Sequence, residues 1–77
     1  MSKPIEAVIA ETFRISPAAV LDTLAFNAIP EWDSLAHMDL MLALEAAYGV
    51  TIDEDRMLEL TSVRAIREFL RDGARGA

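Results

Sequence analysis

Apolar positions recur at helical spacing from the start of the chain: Ile5, Val8, Ile9, Thr12 and Phe13 fall three and four residues apart and share one face. Pro4 is preorganised for a first helical turn, and Ser16-Pro17 biases the backbone away from helix, so the pattern predicts a first helix between them. Over residues 15–33 no period is sustained, yet Val20, Leu21, Leu24, Phe26, Ile29 and Trp32 are too apolar for a solvated linker. The stretch reads as a long loop packed onto the core, with a helical turn at residues 17–21.

Asp33-Ser34 is a strong N-cap signal, followed by helix formers from Leu35 to Tyr48 and a terminating Gly49. Within this second helix Leu40, Leu44 and Tyr48 step by four and should face the core, while Leu35 and Leu42 form a second apolar line beside them. Val50-Thr51-Ile52 is β-prone but has no evident partner strand, so it reads as a connection packed by Ile52. Asp53-Glu54-Asp55 places negative charge at the start of a short helix running to about Leu60. Thr61 or Ser62 then caps the last helix, with Val63, Ile66, Phe69 and Leu70 as its buried face. The expected fold is all-α, an irregular four-helix bundle of three main helices and one short one, with a long loop between helices one and two. It forms a single domain over residues 1–77, with a frayed tail at about 72–77.

Composition narrows the function classes. A chain of 77 residues builds one small core, which disfavours an enzyme with a deep pocket. Thirteen acidic against seven basic residues give a net charge of -6, which repels nucleic acid and anionic lipid and favours basic protein partners. The absence of cysteine excludes disulfides, thiolate zinc sites and thiol catalysis. No apolar run approaches the ~18 residues of a membrane span, and Met1-Ser2-Lys3-Pro4 lacks the apolar stretch of a secretion signal. A cytoplasmic, free-standing monomer is expected.

The chemistry concentrates at Trp32-Asp33-Ser34-Leu35, where a hydroxyl stands at the start of the best-defined helix. Unpaired amide donors and the positive dipole end would favour a phosphodiester on Ser34, although Asp-Ser is also what an ordinary N-cap looks like. The surrounding residues add weight to the first reading. Asp33-Ser34-Leu35 is followed by Met38-Asp39-Leu40, Ala43-Leu44-Glu45, Tyr48, Ile52 before an acidic run, and Thr61-Ser62-Val63 opening the final helix. In this order and spacing the chain resembles the acyl carrier protein family, in which Asp-Ser-Leu opens the second helix and the serine takes a prosthetic arm.

The resemblance implies that a phosphopantetheinyl transferase loads Ser34 with 4′-phosphopantetheine from coenzyme A. The arm's thiol would then carry acyl or aminoacyl groups as thioesters to loading, synthase and tailoring enzymes with basic docking patches. The chain itself would be a carrier and not an enzyme. Asp33 would orient the helix start and contribute to transferase recognition. Leu35, Met38 and Met41 would form an apolar docking patch near Ser34, with plain core packing as the alternative for the two methionines. Asp39, Glu45, Glu54 and Asp55 would supply an acidic recognition surface, against the alternative of a merely solvated face. Departures from fatty acid synthesis carriers stand at Ile29-Pro30-Glu31-Trp32, Ala36, Ala46 and Ala47, and they point to a specialised pathway such as polyketide or nonribosomal peptide synthesis.

Three other readings rank lower. Ser34, His37 and Asp39 suggest a hydrolase triad, but the chain is too short for an oxyanion hole and cleft, and His37 is expected at the helix surface or boundary. Asp53-Glu54-Asp55 hints at a calcium loop, but Arg56 and Met57 stand where further oxygen ligands are required, so no metal site is expected. The serious rival is a cofactor-free helical interaction module with the same fold, using the Leu35 and Met38 surface.

Overall fold

The computed structural model describes residues 3–76, with side chains described through residue 72. Four helices follow one another: α1 (Ile5–Phe13), α2 (Ser34–Tyr48), α3 (Glu54–Glu59) and α4 (Val63–Gly76), with a 3-10 turn (Pro17–Ala19) early in the long loop. No strand forms among the described residues; one isolated antiparallel bridge joins Ala25 to Ser62. The expected all-α bundle with a long first connection is therefore the observed fold. The loosening expected from Asp72 to Ala77 falls mostly on residues whose side chains lie outside those described.

Each helix end has an identifiable cause. The Pro4 carbonyl accepts the first free amides of α1, from Ala7 and Val8. α1 ends at Phe13, short of the Ser16-Pro17 stop, because Arg14 turns into the left-handed region (φ 59°) and the Ile15 N–H folds back onto the Ala10 carbonyl at 3.0 Å. Asp33, Asp53 and Ser62 cap α2, α3 and α4 by accepting the Ala36, Arg56 and Ala65 amides at 2.9, 2.8 and 3.1 Å. Gly49 closes α2 with φ 66°, a conformation that glycine adopts without the Cβ penalty.

The core is one cluster. Ile9, Trp32, Leu40, Leu44, Val63 and Ile66 are its fully buried large side chains, drawn from α1, the long loop, α2 and α4. On α1 Ile5, Val8, Ile9 and Phe13 are buried, and the half-buried Thr12 turns its hydroxyl back to the Val8 carbonyl at 2.8 Å. The long loop is held by backbone as well as by burial. Phe26 N–H donates to the Thr61 carbonyl, and Val63 N–H to that of Leu24, both at 2.9 Å, so the loop's carbonyls also serve the open start of α4. Asn27, at φ 66°, reverses the chain, and its N–H reaches the Trp32 carbonyl at 2.9 Å, closing the turn that delivers Trp32 to the core and Asp33 to the surface. No helix among the described residues is long and apolar enough to cross a membrane.

Candidate functional site

Ser34 is the first residue of α2 and is exposed. The Asp33 carboxylate accepts the Ala36 N–H, and the Asp33 carbonyl accepts the His37 N–H at 2.8 Å. The Ser34 and Leu35 amides are left open at the positive end of a 15-residue helix. An anion attached to the Ser34 oxygen meets free N–H donors there and no competing carboxylate cap on those two amides. The donor set thus suits a phosphodiester.

Beneath the serine lies a buried polar relay. Trp32 is wholly enclosed and packs against Phe13 in a tilted pair with ring centroids 5.1 Å apart. Its indole N–H donates to His37 Nδ1 at 2.9 Å, and His37 Nε2 lies 3.0 Å from the Met57 carbonyl of α3. Because Nδ1 is occupied as an acceptor, the partners assign the imidazole proton to Nε2, which donates to Met57. The Phe26 ring meets the imidazole edge-on at 5.5 Å.

This overturns the expected position of His37, which is 7% exposed and belongs to the interior. It lies there because His37, Leu40, Met41 and Leu44 follow one another at three- and four-residue steps, the repeat of a single helix face. The same repeat corrects Met41, expected in the docking patch but 4% exposed and packed in the core. Leu35 and Met38 do face outward, at 74% and 51%, and Leu42 joins them at 62%, so the second apolar line of α2 is a solvent-facing stripe beginning next to Ser34. The signal that could have placed His37 was its membership of the buried stripe, together with an indole N–H five residues earlier needing an acceptor.

Of the acidic positions, Asp39, Glu54 and Asp55 are exposed. Glu45 is half-buried, and its Oε2 accepts the Ile52 N–H at 2.8 Å, fixing the α2–α3 connection to the helix before it. Asp53, adjoining the expected acidic pair, is occupied as the α3 cap. Ser34, His37 and Asp39 are not a triad: the imidazole is turned into the core and both its nitrogens are engaged.

Comparison with known proteins places the chain in a family. A family model described as a phosphopantetheine attachment site matches residues 4–70. The chain is also 26% identical over 68 residues to an acyl carrier protein of Thermosynechococcus vestitus (strain NIES-2133 / IAM M-273 / BP-1), an alignment covering 88% of this chain and 84% of that protein. With most of its length matched and an exposed serine opening its longest helix, the chain belongs to the phosphopantetheine attachment site family, whose members carry covalently attached 4′-phosphopantetheine.

Proposed function

We propose that Ser34 is the attachment point and that the protein carries acyl or aminoacyl groups as thioesters in the cytoplasm, without catalysing a reaction itself. The observation that carries this reading is the exposed Ser34 hydroxyl at the start of α2, with the Ser34 and Leu35 amides open beside it. In loading, the Ser34 oxygen forms a bond to the phosphorus that bears pantetheine in coenzyme A. The pyrophosphate bond breaks, 3′,5′-adenosine bisphosphate leaves, and the hydroxyl proton passes to a base of the transferase. The bound arm supplies a flexible tether ending in a thiol; with no cysteine in the chain, no other thiol competes for cargo.

Leu35, Met38 and Leu42 offer partners an apolar line, with Asp39, Glu54 and Asp55 supplying negative charge on α2 and α3. Such a surface suits basic, apolar patches on a phosphopantetheinyl transferase and on loading or synthase enzymes of a specialised acyl-transfer pathway. Intact mass after incubation with coenzyme A and a broad-specificity transferase tests the reading. The expected result is a gain of about 340 Da that Ser34→Ala abolishes. A folded wild-type protein that gains nothing would instead favour a cofactor-free interaction module using the exposed stripe of α2.

A further inference from the structure

His37 is a buried titratable side chain that the carrier chemistry does not use, and it joins three parts of the molecule. Through Nδ1 it holds Trp32 of the loop that leads into Ser34; through Nε2 it holds the Met57 carbonyl of α3; its own backbone lies in the first turn of α2. α3 has only six residues, far fewer than the ~12 that sustain an isolated helix, so tertiary partners must hold it. Its N-terminus is capped by Asp53. At its other end the helix stops at Glu59 and gives the Met57 carbonyl no amide four residues on. The imidazole N–H satisfies that orphan carbonyl, which makes His37 a C-terminal cap reaching across from another helix.

We propose that His37 is a positioning residue for modification of Ser34: by capping α3 from the first turn of α2, it fixes the outer face of α3 relative to the serine, and the transferase reads the two helices as one surface. Glu54, Asp55 and Leu58, the last 70% exposed, stand on the helix so fixed. The inference rests on the carrier reading of Ser34. The Trp32 and Phe26 rings, 6.1 and 5.5 Å from the imidazole, pack against it and offer the Met57 carbonyl no N–H in place of Nε2.

The two nitrogens can be tested separately. Glutamine places an amide N–H near the position of Nε2, and asparagine places a carbonyl near that of Nδ1. Full-length His37→Gln therefore keeps the α3 cap, whereas His37→Asn keeps the Trp32 acceptor and loses the cap; His37→Phe loses both at similar volume. Initial rates of phosphopantetheine transfer from coenzyme A by a broad-specificity transferase are read against carrier concentration, with amide exchange across residues 54–60 in the unmodified proteins.

The Asn and Phe variants are expected to raise KM for the carrier about tenfold, with kcat within about twofold and faster exchange in α3. The Gln variant should return both readouts close to wild type, and exchange of the Ala36 amide should be the same in all. Wild-type KM in the Asn variant, or a Gln variant as poor as Asn, overturns the proposal. If His37→Phe fails to fold, the Gln and Asn pair decides alone. Absence of any transfer to wild type overturns the carrier reading itself, an outcome distinct from equal transfer to all variants.

Discussion

Arg67 Nη1 lies 2.8 Å from Glu6 Oε2, joining the last helix to the first, while its Nε reaches Asp22 Oδ1 in the long loop at 3.0 Å. The Glu6 carboxyl is held below its ordinary range by its own backbone N–H and then by the Arg67 guanidinium; hydrogen bonding to Glu6 raises Arg67 in return. A depressed folded-state pKa stabilises the protein above the unfolded value of 4.5, and that contribution is lost as pH falls through the folded value. Both side chains are more than a third exposed, so solvent screening limits the contribution to about 1 kcal/mol or less. Thermal melts from pH 6 down to pH 3 should show wild type and Glu6→Gln converging at the acid end, with wild type the more stable above it. Parallel curves would mean that the pair contributes nothing to the acid transition.

Tyr48 behaves in the opposite sense. Its hydroxyl donates to the Lys3 carbonyl at 2.6 Å, and burial, followed by the charge of Glu6, pushes its pKa above 10.0. A raised folded-state value leaves its stabilisation intact below the unfolded pKa, and alkali removes it as pH climbs through the folded value. As the sole tyrosine in the chain, Tyr48 can be followed by its phenolate absorbance without interference from another phenol. The midpoint should lie above that of the unfolded protein in denaturant. Tyr48→Phe should cost about 1 kcal/mol at neutral pH through the lost hydrogen bond. Coincident midpoints would remove burial as the governing effect.

Met41 and Met38 lie one turn apart on α2 yet face opposite environments, and truncation separates them. Met41→Ala should destabilise by about 2 to 5 kcal/mol because it opens a hole in the packed core. Met38→Ala, at an exposed position, should change stability by no more than about 0.5 kcal/mol. Urea midpoints of the two variants check this directly. Equal midpoints would show that Met41 is not held in the core.

The four helices were legible because their signals are local. Asp33 caps α2 where the sequence signals it, Ser62 takes the α4 cap left between it and Thr61, the acidic run opens α3 with Asp53 as its cap, and Gly49 takes the left-handed turn expected of it. The place of Ser34 at the exposed start of α2 was legible for the same reason, being defined by the residue before it and the helix after it. Met41 and His37 were not, because proximity to Ser34 along the chain competed with membership of the 37, 40, 41, 44 stripe, and the stripe governs which side chain meets the core. The Arg14 turn was also hidden: an arginine in the left-handed region follows from how α1 meets the loop, with no propensity to announce it. The carbonyl of Met57 acquires its partner from a residue 20 positions away, a relationship that only the packed chain discloses.

Glu45 carries the clearest contest between a recognition role and a structural one. Its carboxylate accepts the Ile52 N–H from across the turn after α2, while Asp39, earlier on the same helix, is exposed. Hydrogen bonds to charged groups contribute about 1.5 to 3 kcal/mol when sheltered, and partial exposure of Glu45 brings the expectation toward about 1 kcal/mol. Glu45→Ala should therefore lower stability by roughly that amount and speed exchange of the Ile52 amide, whereas Asp39→Ala should leave both within about 0.5 kcal/mol of wild type. Because Ile52 packs against the core just ahead of α3, the Glu45 variant should also weaken partner recognition indirectly, and Glu45→Gln, which retains an acceptor oxygen, should recover most of the loss. If Glu45→Ala instead keeps full stability while lowering transfer as much as Asp39→Ala does, its charge acts on partners and its bond to Ile52 is incidental.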